Sequence, residues 1–119
     1  MSEAKLTLNI RSMGAQVRII DILGDVTGAA DVALTDAHAQ ASAAMTIILN
    51  FTGLEYMNSS GIGLLVTLLI RAQRQGQKLT AFGLTDHYRE IFELTRLNEA
   101  IMLFATETDA LASLQGSHI

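Results

Sequence analysis

Three times along this chain a short apolar run gives way to a segment with helical spacing. That alternation constrains the fold more than any other feature. "MTIILNF" (45–51) precedes a stretch in which Ile62, Leu65, Val66, Leu69 and Ala72 recur on one helical face. "KLTAF" (78–82) precedes residues 86–95, anchored by Ile91, Phe92 and Leu94. "AIMLFA" (100–105) precedes residues 109–114, with Leu111 and Leu114 as the packing residues. The first run lacks polar alternation, as expected of a strand buried on both faces. Strands joined through helices are joined by crossovers, so they pair in parallel.

The N-terminal part differs. "KLTLNIRS" (5–12) alternates Leu6, Leu8 and Ile10 with Thr7, Asn9 and Arg11, the pattern of a half-buried strand. "MGA" (13–15) reads as a turn and "QVRIIDIL" (16–23) as a second strand, so a hairpin is the economical connection. "GDVTG" then breaks the pattern, and residues 29–44 are Ala-rich without Gly or Pro, which favours helix. The thin apolar face of that helix is Ala33, Leu34, Ala37 and Ala41. Residues 52–58 read as a loop, Gly76 as the end of the second helix, and Thr85 and Thr108 as caps of the last two. The order is ββαβαβαβα. It predicts an α/β fold with a mixed five-stranded sheet, antiparallel at its first strand, flanked by about four helices. One domain over 1–119 is expected, since 119 residues suffice for one core.

Composition narrows the chemistry. Hydrophobic residues make up 50%, which argues against disorder and leaves room for a covering partner, a homodimer included. Eight basic against 12 acidic residues give a net charge of −4, with the basic ones scattered, which argues against nucleic acid. Without cysteine there is no disulfide, thiolate metal site or Cys nucleophile. His38, His87 and His118 have no metal-ligand spacing, so neither metal nor cofactor is expected. The apolar run 62–70 stops at Arg71, about half of the ~20 residues a membrane span needs. The N-terminus has no signal pattern, and a cytoplasmic protein without membrane insertion is the expectation.

"YMNSSGIGLLV" (56–66) sets two hydroxyls and a glycine between an apolar strand and an apolar helix. In parallel α/β units, ligands and reactive groups collect at such junctions. Capping alone explains Asn58, Ser59 and Ser60, with Ser60 the best pure cap. A glycine-loop phosphate site would need GxxxxGK[ST] or GxGxxG, and neither is present. A serine hydrolase would need GxSxG and a positioned histidine, and the motif is missing. A serine phosphorylated by another enzyme fits the position, because a helix start tolerates an anion. Gly61 and Gly63 let backbone pack closely or let a partner approach. Met57 suits either a partner contact or a core, and Tyr56 either a rim or a half-buried position. Leu64 and Leu68 fall off the main apolar face of the second helix; they mark a partner surface if exposed and are core if a last helix covers them. His38 and His87 read as solvated helix residues.

With these residues identified, "LEYMNSSGIGLLVTLLIRAQRQGQKLTAFGL" (54–84) resembles the signature of the STAS domain family, in particular its stand-alone anti-sigma-factor antagonists. "IIDILGDVTG" (19–28) resembles the family's segment at the end of strand two. "DHYREIFELTRLNEAIMLFATETDAL" (86–111) resembles its downstream helix, turn and last strand. The resemblance implies the mixed sheet, no enzymatic activity, and partner switching in signal transduction and transcription regulation. A GHKL-type serine kinase, doubling as anti-sigma factor, would phosphorylate Ser59, and a PP2C-type phosphatase would reset it. The partner surface implied comprises Asp25, Thr27, Tyr56, Met57, Asn58, Ser60, Gly61, Ile62 and Leu64. The chain departs from the pattern at Asn58, where the family usually has an acid, and at Thr27, where an acid is common. Two further readings are a STAS scaffold subunit of a signalling assembly and an accessory of a membrane lipid transporter.

Overall fold

The structure, a computed structural model, describes residues 5–114. Strands β1 (Leu6–Ser12) and β2 (Val17–Val26) form the expected hairpin. A 3₁₀ turn (Gly28–Ala30) leads into α1 (Asp31–Gln40) and then β3 (Thr46–Met57). Helix α2 (Ser59–Arg74), β4 (Lys78–Phe82), α3 (Asp86–Leu94), β5 (Met102–Phe104) and α4 (Glu107–Ala112) follow. The sheet order is β1-β2-β3-β4-β5, antiparallel between the first two strands and parallel thereafter. This is the mixed five-stranded sheet with four α-helices that the alternation predicts.

One sheet face holds the main core, where Ile20, Ile22 and Val26 of β2 and Ile47, Leu49 and Phe51 of β3 meet helices α1 to α3. The other face has a smaller cluster, Ile19, Ile48, Phe82 and Ala110, under α4. β3 is buried on both faces along Thr46–Leu49, which is why its sequence does not alternate.

Several boundaries differ from expectation. β2 does not break at Gly24. A register irregularity there, with Gly24 at φ +108°, carries the strand on to Val26. A Cβ on Gly24 would run into the Lys5 carbonyl oxygen, so only glycine fits this bend. β3 likewise continues through 52–57, where a loop is expected, because Gly53 to Met57 pair with the extended β2. Helix α4 starts earlier and is capped by Thr106, whose hydroxyl accepts from the Asp109 amide at 3.1 Å, not by Thr108. On α2, Leu68 is buried and Val66 exposed, the reverse of the expected face, because α1 packs on the Leu64–Leu68 side. On α3, Tyr88 and Phe92 point inward, with Phe92 edge-on to Phe51 at 6.0 Å, whereas Leu94 is 78% exposed. Gly76 ends α2 as expected. At φ +72° it lets the Gln77 amide reach back to the Ala72 carbonyl (2.8 Å) and its own amide to that of Gln73 (3.1 Å).

His38 is buried rather than solvated. Its Nε2 donates to Gln77 Oε1 at 2.9 Å, and Gln77 Nε2 donates to the carbonyls of Ala41, Ser42 and Ala44. His87 is exposed on α3, and His118 lies outside the described residues.

α4 is tied to the sheet by charge. Arg11 makes a two-bond pair with Asp21 (2.8 Å each) and also donates to Glu107 (2.7 and 3.2 Å). Asn50 Nδ2 adds a third bond to Asp21 at 2.7 Å. Burial pushes the Asp21 carboxyl up, but the bonds from Arg11 and Asn50 outweigh it and hold the group below its ordinary value. A depressed carboxylate contributes stability that is full above the unfolded-state pKa and is lost as pH falls through the folded-state value. Stability should therefore decline once pH drops below the ordinary Asp value of ~3.9. Asp21→Asn should blunt that part of the acid sensitivity, measured as the urea midpoint against pH. An unchanged acid limb in the variant would remove Asp21 from this role.

Candidate functional site

The junction between β3 and α2 is built by three local contacts. Asn58 has extended backbone (φ −104°, ψ −177°), and its Oδ1 accepts from the Gly61 amide at 2.9 Å. Asn58 is thus the N-cap and Ser59 the first helical residue. This corrects the expectation that Ser60 caps, and the reason is positional. A cap residue must sit outside the helix, two or three residues before the amide it satisfies, and Ser60 is already inside. The Asn58 amide donates to the Val26 carbonyl (3.3 Å), holding the junction against the end of β2. The third contact is the Met57 amide, which donates to the Tyr88 hydroxyl at 2.9 Å in a buried position.

Gly61 explains how close these elements come. A Cβ there would run into the Val26 carbonyl oxygen and sit 2.8 Å from its carbon and 3.1 Å from Met57 Cγ. Gly63 is different, for a Cβ there meets nothing within 4 Å. Of the two glycines, only Gly61 is needed for packing, and Gly63 lies open on the helix surface.

The two segments named from sequence come together here. Asp25 pairs with Tyr56 and Val26 with Met57, and the Gly28 Cα side lies against Ser60, 3.5 Å from its Cβ to a Cβ built on the glycine. Tyr56 (50% exposed), Ser59 and Ser60 are on the surface, while Asp25, Thr27, Asn58, Ile62 and Leu64 are half-buried. Thr27 turns its hydroxyl to the Ala29 amide (3.3 Å) and starts the 3₁₀ turn. Met57 and Gly61 are buried, Met57 only 4% exposed, so they support the surface from beneath. Leu64 faces α1, lining a narrow cleft with Leu34, Leu68 and Arg71. The outward face of α2 instead presents Gly63, Val66, Thr67 and Ile70.

The chain segments that build this surface are acidic. From residue 19 to residue 70 the chain has no Lys or Arg, but five acids: Asp21, Asp25, Asp31, Asp36 and Glu55. The positive potential available to Ser59 is that of the α2 N-terminus, where the Ser59 and Ser60 amides have no protein acceptor among the described residues. Neither serine is hydrogen-bonded to a histidine among the described residues, and no group of His, Asp or Glu there could hold a metal. No helix among the described residues is long and apolar enough to cross a membrane.

Sequence reasoning missed Tyr88, which comes from a helix 31 positions downstream of Met57. No linear spacing signals that bond. Its one trace is a tyrosine on the inward side of an amphipathic helix, which needs a polar partner once buried.

The fold is shared with known structures. An anti-sigma factor antagonist from Mycobacterium paratuberculosis superposes with TM-score 0.81 at 17% identity, over 96% of this chain and 97% of that one. The anti-sigma factor antagonist SpoIIAA in its unphosphorylated form gives 0.73 at 21% identity, over 92% and 99%. The Bacillus cell fate determinant SpoIIAA in its phosphorylated form gives 0.68 at 23%, over 91% and 99%. No curated protein matches the sequence. A family model described as "Mlab, STAS domain" matches residues 10–104. Since that match runs from β1 through β5 and takes in the whole Asn58–Ser59 junction, the chain belongs to the STAS domain family.

Proposed function

We propose that this protein is a partner-switching regulator that binds a serine kinase acting as anti-sigma factor and is switched by phosphorylation of Ser59. It works as a binding module, and its chemistry is done by its partners, the kinase and a PP2C-type phosphatase. The observation that carries this reading is the position of Ser59. It is exposed, is the first residue of a 16-residue helix, and stands where two amides lack protein acceptors among the described residues. A phosphate there would add about −1.5 to −2 charges at pH 7. The helix start would tolerate it, so the fold would persist while the docking surface gained negative charge and bulk. That surface already carries Asp25 and Glu55, so the added charge would work against an acidic partner face. A structural neighbour, SpoIIAA, is known in phosphorylated and unphosphorylated forms, which supports the reading by analogy of fold.

Intact-mass analysis and phosphosite mapping of protein from its native host test this directly. A species heavier by roughly 80 Da, one phosphate localised to Ser59, is the expected result. Ser59→Asp should fold normally and bind the kinase about 10- to 100-fold more weakly, ~1.4–2.7 kcal/mol. Ser59→Ala should stay bound whatever the kinase does. Wild-type binding by both variants would exclude Ser59 as the switch.

Two observations favour a second reading. The matching family model carries the Mlab description, and Asn58 replaces the acid of the antagonist pattern. In that reading the same surface holds a large partner without phosphorylation, as a scaffold subunit or as an accessory of a lipid transporter. Stable co-purification with such a partner and no phosphate under any growth or stress condition would select it.

A further inference from the structure

We infer that Tyr88 is the positioning residue for Ser59. Its phenol fixes the strand tip from which the phosphoacceptor is presented, an inference that rests on the reading of Ser59 given above. The need for it comes from the sheet. β4 pairs with β3 only along Thr46–Asn50. At Gly83 (φ +85°) the chain leaves the sheet for α3, and its amide bonds to the Phe104 carbonyl instead. Residues 51–57 of β3 therefore have a strand neighbour, β2, on one side only. Phe92 packs on Phe51 at the near end of this stretch, and at the far end Tyr88 Oη accepts the Met57 amide. Both side chains come from the same buried stripe of α3, one turn apart.

The consequence is an ordered run of donors. The Met57 amide is held by Tyr88, the Asn58 amide by Val26 and the Gly61 amide by Asn58 Oδ1, while the amides of Ser59 and Ser60 have no acceptor among the described residues. Of the three holding contacts, the Tyr88 bond is the one made by a side chain from outside the β2–β3–α2 junction. Without the phenol oxygen, a buried N–H loses its acceptor. The strand tip then exchanges its single presented geometry for a set of frayed ones, and the partner meets the competent geometry only a fraction of the time.

The test is Tyr88→Phe, which keeps the ring and its packing. Amide hydrogen exchange, read residue by residue on the full chain, should speed up about tenfold or more at the three held amides within 57–61, those of Met57, Asn58 and Gly61. Amides at Ile20 and Leu49, at the sheet centre, should stay within about twofold of wild type. Gln77→Ala serves as a control for general destabilisation and should not single out 57–61. In native-host extract, Ser59 phosphorylation of the variant should be slower by several-fold, through apparent affinity more than maximal rate. No selective change at 57–61, or an equal change over the whole chain, overturns the positioning role. Selective exchange at 57–61 with no phosphate on Ser59 in either protein retires the phosphoacceptor reading and leaves Tyr88 positioning the loop.

Discussion

Gly61→Ala is expected to destabilise the protein by about 3 kcal/mol, near the top of the range for overpacking. The added methyl would run into the Val26 carbonyl oxygen, which belongs to the backbone and already accepts the Asn58 amide. No rotamer change relieves such a clash. Either α2 shifts away from β2 or the Asn58–Val26 bond breaks, and both disturb the junction at Ser59. Gly63→Ala, two residues on, supplies the contrast. Its methyl meets nothing within 4 Å, and alanine is the better helix former, so stability should rise by about 0.5–1 kcal/mol. Urea unfolding of the two variants side by side decides the matter. Equal midpoints would show that the close approach of α2 to β2 does not exist.

Gln77→Leu should cost about 2–4 kcal/mol despite its fair match in size. Gln77 is 7% exposed, and its amide nitrogen serves three carbonyls of the turn between α1 and β3: Ala41 (3.1 Å), Ser42 (3.3 Å) and Ala44 (2.8 Å). Its oxygen accepts from His38 Nε2. Because the Gln77 nitrogen faces only acceptors, its oxygen must face the histidine, which fixes the His38 proton on Nε2. Leucine would leave His38 and the carbonyls that lack a second donor unsatisfied in a buried site. The Ala44 carbonyl is the most exposed to this loss, since its contact with Gln77 is the shortest of the three. Urea unfolding should show the loss, and hydrogen exchange should place it first in α1. A loss below about 1 kcal/mol would mean that water replaces the side chain there.

The local patterns that proved legible share one property: the residues that decide them are neighbours in sequence. Leu6, Leu8 and Ile10 alternate because β1 has one covered face. Gly76 lies beyond the last turn of α2, where a left-handed residue lets two amides reach back to helix carbonyls. Thr85 caps α3 three residues before the amide it accepts. The Asn58–Gly61 stretch was legible as a helix start, although which of its polar residues caps was not. Three adjacent residues all capable of capping leave the choice to where the strand stops, and β3 stops at Met57.

The misplaced features depend on long-range partners. 52–57 reads as a loop because Gly53 and Glu55 are poor strand residues, yet the extended end of β2 pairs with the stretch. Leu68 and Val66 exchange places because α1 covers one flank of α2 while Val66 and Ile70 on the other are exposed. His38 looks like any polar residue on an exposed helix until Gln77, 39 positions away, meets it.

The order of elements, the hairpin followed by parallel crossovers, and a polar helix start carrying two serines are readable from local pattern alone. Hydrophobic period and backbone preference act over a few residues, so they can be read without the fold. Three-dimensional packing was needed to show that Gly61 is indispensable and Gly63 is not, and that Tyr88 holds the strand tip. Each of these depends on two backbones approaching within van der Waals contact, or on one buried donor finding one acceptor. Such matches are set by the packing of whole elements, which local pattern does not encode.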